Sequence, residues 1–155
     1  MTASSAGALV DTNVLIYSFD RSQPAKQERA TQLLEGLAAH GDGALSTQVL
    51  GEFYSISTRK LIPPLPPVSA LAVVDGFLRT WRIFDVTAAV IREAVRGVRE
   101  HQLSYLDAQI WAVARLNSIP VVLSEDFSHN RTIGGVRFLN PFRADFRTED
   151  WRRFA

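Results

Sequence analysis

Short apolar runs alternate with helix-period segments along nearly the whole chain. Ala8-Leu9-Val10 is the first run, and it stops at Asp11-Thr12-Asn13. Such short polar side chains favour turns and helix N-caps, so this stretch reads as a buried strand feeding a helix start. Pro24 suits a first helical position, and Ala30, Leu33, Leu34 and Leu37 recur at helical spacing. Together they predict an amphipathic helix over 24–39, ended by Gly41 to Gly43. Ala44-Leu45 is a second strand candidate. Ser46 or Thr47 then caps a helix with Val49, Leu50, Phe53 and Tyr54 as its apolar positions and Glu52 upon it.

The segment Pro63 to Pro67 reads as a loop, because proline suits neither a helix interior nor an inner strand. Ser69 caps a helix with Leu71, Val74, Leu78 and Trp81 on one face, and a strand follows at 83–86. Thr87 caps another helix, expected to turn Val90, Ile91, Ala94, Val95 and Val98 inward and Arg92, Arg96 and Arg99 outward. Leu106, Ile110, Val113 and Ala114 predict a helix over 104–117, stopped before Pro120. Val121-Val122-Leu123 is the clearest buried strand. A polar loop containing Gly134-Gly135 separates it from a last strand at 136–139. Short buried strands separated by helices predict an α/β fold, with a parallel sheet covered by helices on both faces.

Composition narrows the chemistry. At 155 residues, 46% hydrophobic and 21% charged, the chain suits one ordinary globular domain. No apolar run approaches the roughly 18 residues that span a bilayer, and the opening MTASSAG lacks the features of a secretory leader, so a cytoplasmic, non-membrane protein is expected. There is no cysteine, and His40, His101 and His129 have no metal-ligand spacing. Thiol catalysis and thiolate zinc sites are thereby excluded. The chemistry must rest on carboxylates, hydroxyls and amides. The net charge of +1 is unevenly spread: from Phe127 onward six arginines face three acids. An acidic body with an arginine-rich end suits an anionic partner held near a cation, as it also suits a solvated tail.

Ligands of open parallel sheets bind outside the carboxyl ends of the strands. Two predicted strands end there with an acid, Asp11 after the first and Asp126 after Val121-Val122-Leu123. Asp107 stands near the start of the helix before that second strand, and Glu52 lies about one turn into its own helix. Singly, each has an ordinary explanation in a helix cap, a helix dipole or a solvated face. The apolar flanks of Glu52 in GEFY and of Asp107 in YLDAQIW speak against a solvated face. Four clustered carboxylates need a cation. Hard oxygen donors without histidine or thiolate select Mg²⁺ or Mn²⁺, ions whose chemistry is done on phosphates.

The stretches LVDTNVLIYSFD, STQVLGEFYSISTRK, LSYLDAQIWAVA and VVLSEDFSHNRTIGGVRFLNPF resemble successive motifs of the PIN domain, in particular the VapC-type ribonuclease toxins of bacterial toxin-antitoxin pairs. The resemblance covers about Ala8 to Phe142. It implies a three-layer α/β/α sandwich around a mainly parallel sheet, with a PIN domain at 1–142 and an arginine- and aromatic-rich tail at 143–155. It further implies that Asp11, Glu52, Asp107 and Asp126 gather in one pocket to hold Mg²⁺ or Mn²⁺ and cut RNA with activated water. Asn13 and Ser124 would be supporting hydrogen-bonders, Thr12 matches the polar residue after the first acid, and the partners would be RNA, a cognate antitoxin and a second copy in a homodimer. Asn130 stands where the resemblance expects glycine, a position asparagine also tolerates at positive φ.

The rival reading is a catalytically inactive module on the same fold that binds RNA or protein. An aspartyl-nucleophile phosphatase would want a second aspartate where Asn13 stands, and a nucleotide-binding Rossmann unit would need a glycine-rich turn that DTNVLI lacks. In the tail, Phe146, Trp151 and Phe154 could stack on bases, but aromatics so spaced are expected to dock on their own domain or on a second subunit.

Overall fold

The structure, a computed structural model, describes residues 6–153; Phe154 lies outside them. In chain order the elements are β1 (Ala8–Val10), α1 (Thr12–Tyr17), α2 (Pro24–His40), β2 (Gly43–Ser46), α3 (Thr47–Ser57), α4 (Pro67–Thr80), β3 (Arg82–Phe84), α5 (Ala88–His101), α6 (Tyr105–Leu116), β4 (Val121–Leu123), β5 (Thr132–Ile133) and β6 (Val136–Leu139), followed by a 3-10 turn at Asp150–Arg153. The sheet order is β3-β2-β1-β4-β6-β5. All neighbours run parallel except β5 and β6. From β1 the chain winds outward to β2 and β3, then returns to the other side of β1 as β4. Right-handed crossovers consequently place α1–α4 on one face and α5–α6 on the other. The reversal makes a switch point between β1 and β4, where loops diverge and leave a crevice.

Every residue of β1, β2 and β4 is buried, which accounts for their unbroken apolar runs. Two caps act as expected from sequence, Ser46 accepting the Val49 N–H and Thr87 that of Val90, and Ser104 also caps its helix by accepting the Asp107 N–H. On the far face α5 and α6 approach closely at Gly97, where an added Cβ would stand 2.7 Å from the Trp111 ring. That ring is fully buried, and its Nε1–H donates to the Ile133 carbonyl at 3.0 Å.

Several expectations are corrected. α4 begins at Pro67, not at Ser69, since proline is pre-shaped for a first helical turn. Of its apolar side chains only Ala70 is fully buried; Leu71 and Leu78 face outward, and Trp81 has left the helix in an extended conformation, packing edge-on against Phe77 and covering Gly43. Ile91 and Val95 are likewise exposed rather than turned inward, and Leu106 is exposed too. Arg96 does not belong to a free outer stripe. It pairs with Glu93 and Glu100 and lies 5.5 Å from the Trp111 ring centre. The polar loop after β4 contains a strand: Gly134 and Gly135, both at positive φ, turn β5 back onto β6 in a two-residue hairpin. Asn130 takes φ 65°, as its side chain allows. Phe146 and Trp151 are buried in the same core as the sheet, so these tail aromatics dock on their own domain. No helix among the described residues is long and apolar enough to cross a membrane.

Candidate metal centre

The crevice at the switch point is a cleft of about 470 Å³, and Asp11, Glu52, Asp107 and Asp126 all line it. Asp11 follows β1 directly. Its N–H donates to the Leu123 carbonyl at 3.0 Å, extending the β1–β4 ladder by one residue and delivering the carboxyl to the sheet edge. Asp126 is carried by the bend after β4, with no helix behind it to cap. Asp107 sits in the first turn of α6, whose N-terminus opens on the cleft beside Ser104. One oxygen each from Asp11, Asp107 and Asp126 lies within 4.8 Å of the others.

Glu52 is not part of this close triad. It stands back in the cleft wall, where Oε2 accepts the Thr12 hydroxyl at 3.0 Å and Oε1 accepts the Gln48 amide at 2.7 Å. Gln48 is in turn held by the Gln109 amide at 2.7 Å. Neither glutamine stood out in the sequence. Gln48 was accessible to inspection as the residue four before Glu52, hence on the same helix face.

Asn13 and Ser124 lie between the two strand-end acids. The Ser124 hydroxyl donates to Asp11 Oδ2 at 2.6 Å and accepts the Asp126 N–H at 3.1 Å. The Asn13 amide nitrogen lies 3.1 Å from both Ser124 Oγ and Asp126 Oδ2, and 3.4 Å from Asp11 Oδ2. Asp11 also accepts the Thr12 N–H at 2.6 Å as the N-cap of α1. Its capping role and its place in the cluster therefore coexist. The loop that carries Asp126 is tied down through the preceding Glu125, which accepts a hydrogen bond from the Tyr17 hydroxyl and pairs with Lys26 at 2.9 Å.

Burial pushes the Asp11 carboxyl up to about 7; the Ser124 hydroxyl and the Thr12 N–H oppose the rise, and the charges of Asp126 and Asp107 add to it. Half-buried Asp107 is raised as well, by burial against the pull of a hydrogen bond from Ser104 and with the charges of Asp126 and Glu52. Two unit charges about 5 Å apart repel by roughly 3 kcal/mol at an effective dielectric of 20. These acids therefore need protons or a cation. The donor set fits a hard divalent ion: three carboxylates converge with no nitrogen or sulfur ligand among them. Beside them the buried Asn13 Oδ1 has no hydrogen-bond partner among the described residues, an acceptor suited to a water in such a site.

The family model for the PIN domain matches residues 8–134. Among curated proteins, none matches the chain. Of solved structures, a toxin-antitoxin complex from Klebsiella pneumoniae superposes with a TM-score of 0.64 at 23% identity, covering 87% of this chain and 98% of that one. VapC20 of Mycobacterium tuberculosis, a sarcin-ricin loop cleaving toxin, gives 0.57 at 22%, covering 74% and 86%. VapBC2 of Rickettsia felis, bound to promoter DNA, gives 0.59 at 18%, covering 84% and 96%. At these identities the likeness shows a shared fold.

Proposed function

This chain belongs to the PIN domain family, and we propose that it is a Mg²⁺- or Mn²⁺-dependent endoribonuclease acting as the toxin of a toxin-antitoxin pair. The observation that carries the reading is the convergence of three carboxylates within 4.8 Å at the switch point. The ion, when bound, supplies Lewis-acid polarisation of a phosphate oxygen and a water of lowered pKa. Asp11, Asp107 and Asp126 would hold it. Glu52, fixed through both oxygens by Thr12 and Gln48, orients a water at the cleft wall rather than moving with the substrate. Asn13 and Ser124 keep Asp11 and Asp126 in register by donating to their oxygens. Asp11, buried and with its carboxyl raised, would give up its proton to serve as a ligand.

The toxin reading is supported by the solved toxin-antitoxin complexes that share the fold. The proposed partners are a cognate antitoxin and a second copy of the chain. Exposed Leu71 and Leu78 on α4 line an apolar groove with Leu50, Tyr54 and Val74, and this groove is the surface we assign to such a partner. The proposed place of action is the cytoplasm. Induced expression in a bacterial host should halt growth with new RNA 5′ ends, and co-expression of a small protein from the adjacent reading frame should relieve the arrest. Harmless expression of folded protein would contradict the reading.

A further inference from the structure

Among the described residues, the cleft that holds the acid cluster is lined by five carboxylates, Asp20 in addition to the four above, and by a single cation, Lys60. An anionic strand cannot enter such a cleft without positive charge to meet it. Lys60 lies just past the end of α3, and its side chain is exposed. Among the described residues its ammonium makes no hydrogen bond or ion pair. That is unusual beside so many acids. Lys26, at the margin of the same site, is by contrast committed to Glu125 and stacked over the Tyr17 ring at 4.4 Å. These two are the only lysines of the chain, among fifteen arginines. The cleft is also lined by apolar Ile16, Ile56 and Leu61, side chains that can take a base but not a phosphate.

From this arrangement we infer that Lys60 is the substrate-positioning cation of the cleft: it binds a backbone phosphate of the RNA neighbouring the one held at the acid cluster. The inference rests on the ribonuclease reading above. Lysine suits the task, being a point charge on a flexible stem that can follow a phosphate. Its place on the loop after α3, outside the triad, separates grip on the strand from grip on the ion.

Because the chain has so few lysines, an amine-reactive reagent reports on this end of the molecule. The test follows acetylation of Lys60 by mass spectrometry, in Ca²⁺, with and without a short oligoribonucleotide, alongside equilibrium binding of the same labelled oligonucleotide over a range of salt. Bound RNA should slow modification of Lys60 several-fold. Lys60→Gln should weaken binding and lower the salt slope by about 0.7, the value for one phosphate contact on a single strand, while Lys60→Arg stays near the parent. The Mn²⁺-induced rise in melting temperature should be the same in Lys60→Gln as in the parent, since the ion is held elsewhere. RNA that binds and is cut, with Lys60 unprotected or the Gln variant unchanged in affinity and slope, overturns this assignment alone. A parent that binds no RNA overturns the ribonuclease reading and this assignment with it.

Discussion

Ser124 donates its hydroxyl to Asp11 Oδ2 over 2.6 Å. The bond joins the ends of two neighbouring parallel strands at the point where the sheet reverses its winding. Through it the β4 loop, which carries Asp126, is registered against β1, which carries Asp11. Ser124→Ala removes this donor and the acceptor for the Asp126 N–H, a cost of about 1 to 3 kcal/mol in stability for a buried polar network. It should also raise the Asp11 carboxyl further, because the hydroxyl now pulls it down. Mn²⁺ titrations at several pH values should show weaker binding that recovers only at higher pH than in the parent.

The raised Asp11 gives the metal-free protein a recognisable pH dependence. Its carboxyl holds a proton to about pH 7 in the folded chain and loses it near 3.8 when unfolded. The folded state binds more protons in that window, so stability falls as pH rises from about 4 to 7 and is unaffected by this group below 4. The loss attributable to Asp11 is at most about 4 kcal/mol. Asp107 acts in the same direction. Glu93, lowered by its bond from Arg96, acts in the opposite one. Urea titrations of the parent and of Asp11→Asn in EDTA isolate the effect, and the variant should be flatter across the window.

A cation that binds only the folded form stabilises it by mass action. Mn²⁺ should therefore raise the melting temperature of the parent. Asp126→Asn removes one repelling charge, so its metal-free melting temperature should equal or exceed the parent's, while its response to Mn²⁺ shrinks. With no helix after β4, a capping role offers no competing explanation. An undiminished response in differential scanning fluorimetry would remove Asp126 from the ion site.

Gly97→Ala tests the packing behind the site. The new methyl would meet the Trp111 ring at 2.7 Å, and overpacking of this kind costs about 1 to 3 kcal/mol. Chemical denaturation should show that loss with the Mn²⁺ response retained, since the contact lies on the α5–α6 face and not in the cleft.

The strand-end acids were legible because period and position coincide: a fully buried run followed at once by a carboxylate has one place to be in a parallel sheet. Asp107 was less so. It lies in a helix, and the edge at which α6 begins depends on connectivity that only the three-dimensional winding fixes. The separation of Glu52 from the close triad could not be read, because it arises from side-chain bonds to Thr12 and Gln48 forty residues before and four before it. β5 escaped because two residues carry no periodicity; the glycine pair was its only trace. Leu71, Leu78, Ile91 and Val95 have helical spacing, yet face outward. Spacing identifies a stripe but not what covers it.

The most direct test is the rate of RNA cleavage by purified parent in Mg²⁺, in excess EDTA, and by Asp107→Asn in Mg²⁺, on one structured RNA such as ribosomal RNA. The substitution keeps the volume of a half-buried side chain while removing its charge, so the variant should keep the fold by circular dichroism. The metal-site account predicts cutting by the parent in Mg²⁺, none in EDTA, and a rate at least about a hundredfold lower for the variant. Cutting that persists in EDTA, or a variant as fast as the parent, would contradict it.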